Sequence, residues 1–176
     1  MPNFYITTAI PYVNDEPHLG HAMLHLYADV LARYMRQYKT PVIYSAGTDE
    51  HGGKIAEKAA EAKVTPQAYA DKLSKSFVEL LKLLNISNDR FIRTTDASHV
   101  KAAQIIWKSL EKYIEKGSYE GWYCTGCESF YSESYVKEHN GTCPLHNRPF
   151  ERLKEENYLF KLSAFTDKIK KAIEVD

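Results

Sequence analysis

The sequence predicts an α/β fold with a parallel sheet, followed by a small metal-stapled module. Three observations carry this. Short β-rich runs alternate with segments of helical period as far as residue 117. All three cysteines fall after that point. Beyond it aromatic residues are dense, and no helical period returns until Ser163.

The composition narrows the class. The chain has 176 residues, 44% apolar and 26% charged, enough for one core plus a small extra module. Lys+Arg and Asp+Glu balance at 23 each, which excludes a blanket cationic surface for nucleic acid but leaves room for local patches. No apolar run nears the roughly 20 residues that span a bilayer. The N-terminus lacks the basic and apolar regions of a signal peptide. Three cysteines cannot all pair, so a secreted disulfide scaffold is not expected. A cytoplasmic protein without a membrane partner is expected, and three thiols in one neighbourhood suggest a metal. No period of about 20–50 residues repeats.

Phe4-Tyr5-Ile6-Thr7-Thr8-Ala9-Ile10 reads as a buried strand stopped by Pro11. Pro17 opens a helix whose apolar stripe is Leu24, Ala28, Leu31 and Met35, with Tyr27, Tyr34 and Tyr38. Pro41-Val42-Ile43-Tyr44 is a second strand, 45–52 a loop, and 54–63 a helix. Thr65-Pro66 combines an N-cap hydroxyl with proline at the first helical position. That helix runs through Tyr69, Leu73, Phe77, Leu80, Leu81 and Leu84. Arg90-Phe91-Ile92-Arg93 is the third strand. Asp96 caps a helix carrying Ala103, Ile106, Trp107, Leu110 and Ile114, which Gly117 ends. The expected domains are 1–117, then a metal-binding module at 118–160, then the start of a further helix at 161–176. That last helix carries Phe165 and Ile169 on one face and reaches Asp176 without a stop signal, so a truncated polypeptide is expected.

Three segments carry chemistry. Residues 9–21 join the first strand to the first helix, and ligands of open α/β sheets sit at the carboxyl ends of strands. His18 and His21 lie three apart on one side of a helix start, where free N–H groups and the positive dipole end favour a phosphate. Gly20 lets a flat base or ribose approach the backbone. The plain alternative is that the histidines decorate a helix start. In the loop Ser45-Ala46-Gly47-Thr48-Asp49-Glu50-His51-Gly52-Gly53, Asp49 suits a substrate ammonium. The alternative there is an aspartate bonded to its own turn. Cys124, Cys127, Cys143 and His146 follow C-x2-C-x15-C-x2-H, the pattern of a closed, structural Cys3His zinc site. Reduced buried cysteines and a redox CxxC are the alternatives. His139 falls outside both knuckles and reads as a surface residue.

Together these residues resemble the methionyl-tRNA synthetases, a family of class I aminoacyl-tRNA synthetases. The family's HIGH motif corresponds to His18-Leu19-Gly20-His21. Its strand exit corresponds to Ala9-Ile10-Pro11-Tyr12-Val13-Asn14 and its second loop to Gly47-Thr48-Asp49-Glu50-His51-Gly52. The knuckles of its connective peptide match Cys124, Cys127, Cys143 and His146, flanked by Glu120-Gly121-Trp122-Tyr123 and Glu155-Glu156-Asn157-Tyr158. The resemblance implies the first half of a Rossmann-like HIGH-type nucleotide-binding fold with a parallel sheet, plus the zinc-knuckle connective peptide. It implies activation of methionine with ATP, taken with Mg2+ as substrate, and transfer to tRNA(Met). His18 and His21 would act on the phosphates, Gly20 would lie under the adenine, and Asn14 would order the turn. Asp49 would hold the methionine ammonium, with Ala9, Ile10 and Tyr12 lining its site.

The family's second half, with its lysine-bearing KMSKS loop, is expected to be required in cis, so this chain alone is expected to be inactive. Lys72-Leu73-Ser74-Lys75-Ser76 is a near-copy of that loop, but it reads as exposed lysines and serines around a core leucine within a helix. An HxGH nucleotidyltransferase of another kind, and a non-enzymatic zinc-stapled tRNA-binding module, are the competing readings.

Overall fold

The computed structural model describes residues 4–174. They fall into two compact units, one ending at Ile105 and the other beginning at Ile106. The first unit is built on three parallel strands, β1 (Phe4–Thr7), β2 (Val42–Thr48) and β3 (Arg90–Arg93), in the order β1-β2-β3. The connections carry helix α1 (Leu19–Gln37) between β1 and β2, then α2 (Gly53–Glu61) and α3 (Pro66–Leu83) between β2 and β3. Helix α4 (Ala97–Leu110) follows β3. Among the described residues no helix is long and apolar enough to cross a membrane.

Two apolar clusters hold the sheet to its helices. Val13, Ile55, Ala70, Leu73 and Phe77 form one. Ala28, Ala32, Tyr44, Ala46 and Leu81 form the other. Thr65 caps α3 by accepting the Ala68 N–H at 3.2 Å, and Pro66 takes the first helical position, as the sequence predicts.

Four local expectations change. Strand β1 ends at Thr7, and the chain then loops before Tyr12 bridges to Asp49. Strand β2 runs on to Thr48, because β3 pairs with Ser45 through Thr48. Backbone pairing, not side-chain hydrophobicity, sets that length. The buried face of α1 is Ala22, His25, Ala28, Asp29 and Ala32, while Tyr27, Leu31, Tyr34 and Tyr38 are exposed. Small side chains let the helix approach the sheet, and its two polar members are satisfied. Asp29 accepts the Ser87 N–H at 2.7 Å and Arg33 Nε at 2.6 Å, and His25 Nδ1 meets the Tyr44 hydroxyl at 3.0 Å. Burial first, and the Asp29 charge second, push the Tyr44 hydroxyl up to about 12. Finally, α4 stops at Leu110 and has no buried residue, and Gly117 lies inside a strand.

The second unit centres on a long antiparallel ribbon, β4 (Ile114–Cys124) against β8 (Glu151–Phe160), with β5 (Ser129–Tyr131) on the other edge of β4. A short helix α5 (Glu133–Glu138) and a small hairpin of β6 (Thr142–Cys143) and β7 (Arg148–Pro149) complete it. Ser132 caps α5, a helix too short to show as a period in the sequence. Helix α6 (Thr166–Glu174) follows a 3-10 turn at Leu162–Phe165. Asp176 lies outside the described residues. The core is Cys124, Val136, Cys143 and Phe150, ringed by Trp122, Tyr131 and Tyr135.

Gly47 is fixed by the β2–β3 ladder. A Cβ there would lie 2.2 Å from the carbonyl oxygen of Ile92, a backbone atom that can retreat only if the strands part. Gly47→Ala should therefore cost about 3 kcal/mol, the upper end for overpacking. Gly53→Ala, where a Cβ meets nothing within 4 Å, is the control and should be near neutral. Urea unfolding midpoints of the two variants check this, and equal midpoints would refute it.

Candidate functional site

The first site is written into the start of α1. His18 is the N-cap, in extended conformation, and His21 is the third residue of the helix. The His18 Nδ1 accepts the Gly20 N–H at 3.1 Å, and the His21 Nδ1 accepts the His18 N–H at 3.1 Å. This is a capping box made from two imidazoles. A nitrogen that accepts carries no proton, so each neutral ring bears its proton on Nε2. The rings stack with centroids 3.8 Å apart, and the His21 ring meets the edge of Phe77 at 5.1 Å. Burial, then the neighbouring His18, lower the pKa of His21 and favour its neutral form. The first turn of α1 holds no acidic residue. Two N–H donors thus share the positive end of a 19-residue helix.

The second loop is stitched to the exit of β1. The Asp49 N–H donates to the Pro11 carbonyl at 2.8 Å, and the Val13 N–H donates to the Asp49 carbonyl at 3.2 Å. Val13 is fully buried in the cluster that contains Phe77, and the Tyr69 hydroxyl donates to the Asn14 carbonyl at 3.1 Å. Ala9, Ile10 and Tyr12 are exposed along the same exit. Asp49 is half-buried between fully covered neighbours, and its carboxylate accepts no hydrogen bond from its own turn among the described residues. The strand exit and the Asp49 loop are thus joined, and His21 shares Phe77 with them.

A third group of residues escaped the sequence reading. The Glu50 carboxylate has no exposure to water. It accepts from Arg93 Nε at 2.7 Å, Arg93 Nη2 at 2.8 Å, the Thr48 hydroxyl at 2.8 Å and the Thr95 hydroxyl. Arg93 Nη2 also donates to Asp71 at 2.5 Å. Burial alone would raise the pKa of Glu50, but these hydrogen bonds and the Arg93 charge hold it below the ordinary 4.5. Its sequence signal was an arginine at each end of a four-residue strand, one of which needs an inward partner. Helix α3 also departs from expectation at Ser74, which is buried and lies 3.4 Å from the Thr48 hydroxyl, while Lys72 and Lys75 are exposed as expected.

In the second unit the ligand atoms of Cys124, Cys127, Cys143 and His146 all lie within 4.8 Å of one another. Cys127 Sγ is 3.6 Å from Cys143 Sγ and 3.2 Å from His146 Nδ1, and Cys143 Sγ is 3.9 Å from that nitrogen. A tetrahedral zinc needs edges of about 3.8 Å between sulfurs and about 3.5 Å from sulfur to nitrogen. The donor set fits such an ion. Burial opposes ionisation of Cys143, but hydrogen bonds from His146 and Leu145 outweigh it and bring the thiol down to about 6. Gly126 permits the approach, since a Cβ there would fall 2.4 Å from the His146 ring. His139 is half-buried and stacks on Tyr135 at 4.1 Å, which corrects its reading as a surface residue.

A family model described as tRNA synthetases class I (M) matches residues 4–151. The methionine--tRNA ligase of Clostridium tetani is 47% identical over 173 residues, covering 97% of this chain and 27% of that protein. That of Thermotoga maritima is 43% identical over 175 residues, covering 97% of this chain and 28% of that protein. A solved structure of Mycobacterium tuberculosis methionyl-tRNA synthetase in complex with methionyl-adenylate superposes with a TM-score of 0.89 at 40% identity, over 99% of this chain and 35% of that one. The chain thus spans about a quarter of the length of the curated relatives it matches.

The Glu50 cluster makes the first unit acid-sensitive. A carboxylate whose folded pKa lies below its unfolded value stabilises the fold above that unfolded value, and the contribution is lost as pH falls through the folded pKa. Asp29 is lowered as well: burial opposes this, but its bonds to Ser87 and Arg33 prevail. Thermal stability should hold near neutral pH and fall progressively below about pH 4.5. Glu50→Gln should cost about 3 kcal/mol at neutral pH, as breaking one side of a buried pair does. The variant should also lose less on acidification. Melting curves across pH read both effects, and parallel profiles for the two proteins would contradict the assignment.

Proposed function

The chain belongs to the family of class I tRNA synthetases (M), and on that premise we propose that it is the N-terminal part of the catalytic region of a methionine--tRNA ligase. The whole enzyme activates methionine. A carboxylate oxygen of the amino acid bonds to the α-phosphorus of ATP, the bond to pyrophosphate breaks, and methionyl-adenylate forms. The methionyl group then passes to tRNA(Met). Chemistry of this kind asks for positioning and charge stabilisation more than for a protein nucleophile.

The observation that carries the reading is the pair of Nε2–H donors at the positive end of α1, together with the Asp49 loop bonded to the strand exit that leads into that helix. His18 and His21 donate to phosphate oxygens as charge develops on them. Gly20 lies under the adenine, and Asn14 orders the turn through its carbonyl. Asp49 holds the methionine ammonium, and Ala9, Ile10 and Tyr12 line the amino-acid site. Cys124, Cys127, Cys143 and His146 hold a zinc ion whose contribution is structural, since four protein ligands leave no open position. The protein works in the cytoplasm. The remainder of the polypeptide supplies the KMSKS lysines and the other wall of the ATP site.

Methionine-dependent exchange of pyrophosphate into ATP tests this. The full-length protein should exchange, and the 176-residue chain alone should stay at background. In the full-length protein, His21→Ala should lower the maximal rate about 100-fold or more with little change in ATP affinity, because the lost donor acts chiefly in the transition state. An unchanged maximal rate would refute the role of His21, and exchange dependent on a different amino acid would refute the methionine assignment. The metal is tested separately. Freshly reduced protein should carry about one zinc per chain. Cys127→Ser should lose it and should unfold the second unit locally, read by hydrogen exchange. A metal content near zero in the parent chain would rule the site out.

A further inference from the structure

We propose that Glu50 is a positioning residue for amino-acid binding, acting through the backbone of Asp49. The proposal rests on the reading of Asp49 as the group that holds the substrate ammonium.

The main chain alternates in burial at this point: Thr48 and Glu50 are covered, and Asp49 between them is not. Each side of Asp49 is tied to a different strand exit. On one side its N–H and carbonyl bond to Pro11 and Val13, beyond β1. On the other side the Glu50 N–H donates to the Thr94 hydroxyl at 2.8 Å, and the Thr94 N–H donates to the Thr48 carbonyl at 3.2 Å, beyond β3. His51 Nε2 lies 3.3 Å from the Thr94 carbonyl. The Asp49 side chain therefore projects from a backbone that cannot rotate while Glu50 stays seated.

The Glu50 carboxylate keeps that seat through donors from three places: Thr48 at the end of β2, Arg93 at the end of β3, and Thr95 in the loop beyond. Its acceptor capacity is taken up by these donors. Glutamine has nearly the same volume, but its NH2 group would face donors where an oxygen now accepts. Relief comes by moving the 48–51 backbone, and Asp49 moves with it. A misplacement of about 1 Å at such a group can cost on the order of 100-fold.

A purely structural ion pair would affect both substrates alike, so the test is a split between them. In the full-length protein, pyrophosphate exchange is measured for Glu50→Gln, Thr95→Val and Asp49→Asn, with methionine and ATP varied in turn. Glu50→Gln should raise KM for methionine about tenfold or more and leave KM for ATP within about twofold. Thr95→Val removes one donor and should raise KM for methionine by a few-fold, which keeps the proposal testable if Glu50→Gln fails to fold. Normal methionine KM in the first two variants, beside a raised value in Asp49→Asn, would overturn the proposal alone. So would an equal rise for both substrates. A normal methionine KM in Asp49→Asn would overturn the reading of Asp49, and the proposal with it.

Discussion

A carboxylate with no contact to water sets the terms for the first unit. Burying an unpaired charge costs several kcal/mol, so Glu50 folds inward only if its partners are already defined. Those partners come from the ends of two strands and the loop just beyond β3, and Asp71 of α3 in turn balances the guanidinium. The pairing of Thr48 with Arg93 in the β2–β3 register puts hydroxyl and guanidinium on the same carboxylate. A slip of one residue would turn these side chains to the opposite face. The β2–β3 register and the seating of α3 thus both bear on one charge.

The alternation of strand and helix, the start of α3 and the cysteine spacing were legible because each rests on a local signal. Thr65-Pro66 needs no tertiary partner to begin a helix, and two knuckles need only their spacing to be recognised. What the sequence hid was decided by partners far along the chain. The polar end of β2 reads as a loop until β3 lies beside it. The face of α1 was misassigned because large apolar residues attract attention, whereas alanines, His25 and Asp29 are what the sheet admits. Asp29 earns no place in an apolar stripe, yet its bonds to Ser87 and Arg33 tie α1 to the segment ahead of β3. In the residues of the proposed site the same division holds. His18, His21 and Asp49 were visible as motifs, and Glu50 was not, because its part depends on Arg93 43 residues away.

The second unit solves a different problem. Its core is four residues wide, too few to hold a module by burial alone. The ribbon of β4 and β8 adds exposed ion pairs, Lys116 with Glu156, Arg152 with Glu120 and Lys161 with Glu115. The first two join residues offset by two positions across the ladder rather than directly opposite, and Lys161 lies just beyond the end of β8. Such pairs contribute at most about 1 kcal/mol each. They also place charge along an otherwise open edge, which discourages pairing with other chains. Two of the core residues, Cys124 and Cys143, belong to the ligand cluster, so the centre of this module and its candidate metal site are the same place.

The imidazole capping box has a consequence for how position 18 tolerates change. A helix start asks for a short acceptor, and asparagine, aspartate, serine or threonine would each satisfy it. To the helix, aspartate there is a good residue. To an anion approaching the same spot it is a repelling charge in place of a donor. On the proposed phosphate role, folding and ligand binding would grade substitutions at this residue by different rules, and stability measurements alone would pass variants that had lost that role. An imidazole satisfies both rules because its two nitrogens point different ways, one inward to the turn and one outward to whatever binds.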